Sequence, residues 1–154
     1  MAEKLDWFRR FVGTAMGFFF WGIAGGMLQL VLYPYMLTSK SHALQSQLKT
    51  RRFVGRIWNY FIRYLSFAGL LQVSYKGFEK LGRPGQLILP NHPSLLDVVL
   101  ILSKVPTLNC IVKKDLLNNP TMRNQILACG FLPNTESVEL LEQSDEVLKE
   151  QALL

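Results

Sequence analysis

From Phe11 to Ser39 the chain runs for 29 residues without a charged side chain. About 20 predominantly apolar residues are enough for a helix to cross the hydrocarbon of a bilayer. The stretch, rich in Phe, Leu, Gly and Trp, is therefore long enough to span with tilt, or to bend. Gly22, Gly25, Gly26 and Pro34 are the weak points at which such a helix can break. Aromatics gather toward the ends, with Trp7, Phe8 and Phe11 at one and Tyr33 and Tyr35 at the other, as interface anchors do. A cleaved signal peptide fits poorly. Its apolar core is about 7–15 residues, and no convincing small-x-small cleavage site follows here.

The charges flanking this stretch are lopsided. Between Asp6 and Glu79 there is no acidic residue, but there are nine basic ones, most of them after residue 39. The positive-inside rule then places the part after residue 40 on the cytoplasmic side. Residues 1–114 carry a net charge of +11 and residues 115–154 carry −5, so the two parts meet different surroundings.

Arg51 to Gln72 reads as a second helix. Arg52, Arg56, Asn59 and Arg63 fall on one stripe. Phe53, Ile57, Tyr60, Tyr64, Phe67 and Leu71 fall on another, beside Val54, Trp58, Phe61, Leu65 and Ala68. A broad apolar face with a basic edge suits a helix lying among anionic headgroups. A core helix packed on the following domain has the same pattern. The basic residues sit within membrane-type sequence and no RNA- or DNA-binding module is visible, so a nucleic-acid partner is not expected.

The remainder alternates. Short extended stretches are predicted at Val73–Lys76, Leu87–Leu89, Leu108–Val112 and Phe131–Pro133. The run Leu87–Leu89 reads as a strand buried on both faces. Helices are predicted from about Ser94 to Ser103, then up to Cys129, and from Glu136 to Leu154. Gly130 is placed as a C-cap, and Asn134 or Thr135 as the last N-cap. Alternation of this kind implies an α/β domain with a parallel sheet. About 80 residues are few for a two-sided α/β domain, so the sheet is expected to be incomplete. Hydrophobic residues make up 49% and charged residues 18%, which excludes a disordered chain. Cys110 and Cys129 are far apart, with no metal or redox spacing; they are expected in the core, in a reducing compartment.

One constellation carries chemistry. Asn91-His92-Pro93-Ser94-Leu95-Leu96-Asp97 follows the predicted strand Leu87–Leu89 directly. Open α/β sheets place their sites at the C-terminal ends of strands. There, Asp97 can accept from one imidazole nitrogen of His92 and leave the other as a general base. No Ser or Cys stands in a nucleophile-elbow context, which favours direct attack by an activated substrate hydroxyl. Ser94-x-x-Asp97 also fits a helix capping box, in which case His92 is a loop residue.

The run Asn-His-x-Ser-x-x-Asp behind a hydrophobic, basic N-terminus resembles the lysophospholipid acyltransferase family, which includes the enzymes that acylate lysophosphatidic acid. The resemblance covers about Trp58 to the end. Asn91, His92, Ser94 and Asp97 match its first block. Lys113, Leu116 and Pro120, then Gly130-Phe131-Leu132, match its second in part. Where the family often ends that block with an arginine that helps hold the acceptor phosphate, this sequence has Pro133 and Asn134. The third block, a Phe-Pro-Glu-Gly-Thr-Arg type loop, is not in the sequence. The chain therefore reads as the N-terminal part of such an enzyme, inactive or nearly so alone.

The resemblance implies acyl transfer with His92 and Asp97 catalytic. Asn91, Ser94, Lys113, Lys114, Gly130 and Asn134 are the expected substrate-binding residues. The donor is acyl-CoA or acyl carrier protein, the acceptor a lysophospholipid, and no metal or other cofactor is implied. It also implies a layout of anchor and connector (1–50), basic amphipathic interfacial helix (51–75) and partial catalytic domain (76–154). The expected location is the cytoplasmic face of a membrane, the inner one in a bacterial cell. The alternative is a non-catalytic protein that binds lipid or a partner at the membrane surface.

Overall fold

The computed structural model describes residues 2–38, 43–91 and 95–154. It is mostly helical, with a long apolar N-terminal helix and a small parallel sheet. Helix α1 spans Ala2–Met36 and α2 spans Leu44–Phe67. A 3₁₀ turn lies at Phe78–Lys80, and α3 spans Leu95–Lys104. Then come β1 (Ile111–Lys113), a 3₁₀ turn (Lys114–Asn118), α4 (Arg123–Cys129), β2 (Leu132–Asn134) and α5 (Val138–Glu150).

α1 is continuous through its weak points Gly22, Gly25, Gly26 and Pro34. Two of its glycines show why small residues stand in this helix. A Cβ at Gly17 would touch Leu65 and Tyr64 of α2, and one at Gly25 would come 3.2 Å from Thr121. Small residues here let the helix lie against its neighbours. Pro34 sits in the last turn, so the bond to the Leu30 carbonyl that it cannot make is lost only two residues before the helix ends. α2 begins earlier than the predicted Arg51 and ends at Phe67 instead of Gln72. Gly69 adopts a left-handed φ of 68°, and the Leu70 N–H donates to the Leu65 carbonyl, which closes the helix.

β1 and β2 pair in parallel, with Ile111 opposite Leu132 and Lys113 opposite Asn134. Two further segments join by single bridges. Leu153 pairs in parallel with Leu87 on one side and Asn109 on the other. The order across the sheet is therefore 86–88, 152–154, 109–113, 132–134, all parallel. This corrects the helix predicted to run to Leu154: α5 stops at Glu150, and Ala152 and Leu153 are buried in the middle of the sheet. Val73–Lys76 forms no strand. Leu87 and Leu89 are exposed, so the expected burial on both faces is also corrected. The helix predicted to run up to Cys129 is broken at Pro120 into a 3₁₀ turn and α4.

The core lies where α1, α2, α3 and α4 meet the sheet. It contains Leu28 and Leu32 of α1, Val54, Trp58 and Ile62 of α2, and Leu102 of α3. α2 is thus a core helix along Val54, Trp58 and Ile62, while its opposite side stays exposed.

Arg51 closes the other end of the sheet. It is 3% exposed, whereas its neighbour Arg52 is exposed. Its Nε donates to the Cys129 carbonyl at 2.6 Å, and its Nη1 to the Leu108 carbonyl at 3.2 Å and to Gln151 Oε1. These acceptors precede β2, the 109–113 strand and the 152–154 segment. One side chain thus gathers the entries of three strands. Its guanidinium also lies over the Phe131 ring, 5.5 Å from the centroid.

Candidate active site

The parallel arrangement sets the C-terminal ends of all four extended segments on one edge. Asn91 stands four residues beyond Leu87, and Lys113 stands four beyond Asn109, the two residues that flank Leu153. Lys113 is in turn opposite Asn134. Topology therefore brings Asn91, Lys113, Lys114 and Asn134 to the same edge as the start of α3, which carries Asp97. His92 and Ser94 lie outside the described residues.

Asp97 is in the first turn of α3 and is partly buried. A carboxylate there is favoured by the unpaired N–H groups and the positive end of the helix dipole. The flanking residues of the same turns, Leu96 and Val99, wall an apolar cavity of about 430 Å³ between α1, α2 and α3. Gly17, Phe18, Phe61 and Leu65 form its other sides. A smaller apolar cavity of about 180 Å³ lies behind Val98 and Val99, between Trp58, Cys110 and Ile126. Trp21 and Val99 border both. The helix that bears the carboxylate is therefore lined on both sides by space suited to hydrocarbon.

The other expected site residues behave differently. Asn91 and Lys114 are exposed. Lys113 forms an exposed ion pair with Asp115 at 2.9 Å, and the hydrogen bond to that carboxylate raises its pKa. Asn134 Oδ1 accepts from the Glu136 N–H at 3.0 Å, an Asx-type turn that holds Glu136 at a φ of 53°. Gly130 is not at this edge at all. It precedes β2, caps α4 with a left-handed φ of 64°, and a Cβ on it would collide with the Gln47 side chain. Its position is explained by helix termination and close packing, and it lies apart from the other residues expected to bind substrate.

Cys110 and Cys129 are buried free thiols, and burial pushes each up to about 12, which makes both inert as nucleophiles at neutral pH. Among the described residues no group of three or more His, Cys, Asp or Glu side chains is placed to hold a metal ion.

No residue pattern marks the apolar cavity. Its walls come from three helices distant in the chain, and Gly17, Phe61 and Leu96 look alike in the sequence whether they face a cavity, a core or a lipid.

No family model, curated protein or solved structure matches this chain.

Proposed function

We propose that this chain belongs to a membrane-associated acyltransferase, which moves a fatty acyl group from a thioester to the hydroxyl of a lysophospholipid. The observation that carries the reading is the position of Asp97. It stands at the C-terminal edge of the parallel segments, directly after the Asn91-His92-x-Ser94 run, on a helix whose flanks open onto apolar space. A long-chain thioester and a lysolipid both need a hydrocarbon pocket beside the reacting polar group.

In this reading His92 takes the proton of the acceptor hydroxyl, and Asp97 orients the imidazole and stabilises its charged form. The hydroxyl oxygen bonds to the thioester carbonyl carbon, the C–S bond breaks, and the leaving thiolate takes the proton from His92. The donor is acyl-CoA or acyl carrier protein, and Lys113 and Lys114 at the same edge suit an anionic group on donor or acceptor. α1, long and apolar enough to cross a bilayer, supports membrane attachment. The excess of basic residues after residue 40 supports the cytoplasmic face.

The test is release of free thiol from acyl-CoA in mixed micelles with lysophosphatidic acid, using the natural full-length product. His92→Ala is expected to reduce it to background, and Asp97→Asn to lower it by about 10²–10⁴-fold. An unchanged rate in His92→Ala refutes the assignment. A second reading, a non-catalytic lipid-binding protein, is favoured by the exposed basic and aromatic face of α2. It predicts no thiol release by any form, with vesicle binding unaffected by His92→Ala.

A further inference from the structure

We infer that Cys110 and Cys129 together form a binding site for a soft, thiophilic monovalent cation of the copper(I) or silver(I) class, with Arg51 supplying the balancing charge. Such a site does not depend on the acyltransferase reading. The fold brings the two thiols to one place. The Cys110 carbonyl accepts from the Leu132 N–H at 2.9 Å, and Ile111 is opposite Leu132, so Cys110 stands beside Phe131 where the parallel pair begins. Adjacent strands are about 4.8 Å apart. Cys129 ends α4 just before Phe131, and the chain turns between them at Gly130. Both cysteines border the same apolar cavity of about 180 Å³, together with a third sulfur residue, Met122.

Arg51 stands next to this pair. Its Nε donates to the Cys129 carbonyl, and it borders with Cys129 a narrow crevice beside the cavity. Its Nη2 is buried and meets no acceptor among the described residues. Burial raises the pKa of both thiols, and the guanidinium charge opposes that rise at both, so the cation is within electrostatic reach of each sulfur. A buried cation with an idle donor and no carboxylate beside it is a place for a negative charge. Neutral thiols do not supply one. Two thiolates holding a monovalent cation do: the complex carries one negative charge, and with the guanidinium the cluster is neutral.

The donor set selects the ion. Thiolate and thioether sulfur favour copper(I) and its heavier relative over hard cations. No carboxylate borders the cavity among its described walls, so calcium and magnesium lack their oxygen ligands. A structural zinc site needs four ligands, and two thiols do not make one. Binding breaks two S–H bonds, forms two sulfur–metal bonds and releases two protons to solvent, with no change of oxidation state. High thiol pKa values make the sulfurs poor nucleophiles but do not prevent this exchange, since a coordinating thiol is deprotonated by the metal itself.

The experiment titrates the full chain in detergent micelles with silver(I), which needs no reductant. An excess of thiodiglycol, an uncharged thioether whose silver affinity does not vary with pH, acts as competitor. One silver ion per chain is expected by native mass spectrometry. Because two protons leave, affinity is expected to rise about 100-fold per pH unit between about pH 7 and 8. A rise of about tenfold per unit means that a single thiol binds, and a flat profile means that only thioethers do; either overturns the inference, as do two ions per chain. Cys110→Ala and Cys129→Ala are each expected to reduce the slope to about tenfold per unit and to weaken binding at every pH. A single variant that matches the parent chain also overturns it. Arg51→Met is expected to weaken silver binding by about tenfold or more, from loss of the opposite charge beside the thiolates. Unchanged affinity in that variant overturns the balancing role of Arg51.

Discussion

Arg51→Met tests whether a buried cation without a carboxylate partner holds this fold together. Its described partners are carbonyls and an amide, and burial lowers its pKa from 12.5 to about 10. The corresponding penalty on the charged form is about 3 kcal/mol. Against this stand three hydrogen bonds from a charged donor, at about 1.5–3 kcal/mol each, and the Phe131 stacking, worth about 1 kcal/mol. The bonds win by about 3 kcal/mol. Methionine fills much of the volume but leaves the Cys129 and Leu108 carbonyls and the Gln151 amide without a donor. The variant should lose about that 3 kcal/mol, or about 6–12 °C of melting temperature, by circular dichroism in detergent micelles. Because the folded pKa is the lower one, the penalty is constant below about pH 10 and is relieved only as pH rises from there toward 12.5. The difference between the two proteins should therefore be flat from about pH 6 to 9. A methionine variant as stable as the parent would refute the reasoning. It would mean that desolvation outweighs the hydrogen bonds, as it does at some other buried ion sites.

Two further outcomes are expected. Both cysteine thiols titrate higher in the folded chain, up to about 12 from 9.0, so their contribution is complete below about pH 9 and is lost as pH rises toward 12. Cys110→Ala/Cys129→Ala should therefore flatten the fall of melting temperature in that range; equal slopes count against burial of the thiols. Gly130→Ala should cost about 1–2 kcal/mol, from the left-handed backbone and the collision with Gln47. Adding Gln47→Ala should recover only the collision part, and full recovery would show that the backbone is unstrained.

Much of the local structure was legible. The uncharged run announced α1, Gly130 announced the end of α4, and short apolar runs placed the strands near Leu87, Cys110 and Leu132. What was not legible is physical in origin. Three-residue strands are too short to show a period, so Ala152–Leu154 passed for the tail of a helix until pairing with Leu87 and Asn109 identified it. Arg51 carries the same charge as Arg52, and only the neighbouring strand entries distinguish a clasp from a surface cation. At the candidate site, Asp97 could be placed on a helix start, while the convergence of Asn91, Lys113 and Asn134 needed the sheet order.

An apolar first helix, basic flanks and an alternation of short strands with helices can be read from the residues alone. Those properties are carried by composition and local periodicity. Tertiary structure alone decided which side of α1 meets protein and which is left open, because a lipid tail and a protein core select the same side chains. It also decided that the segment at 152–154 enters the sheet and that Arg51 turns inward. Each depends on groups tens of residues apart in the chain, and no local pattern records a contact at that distance.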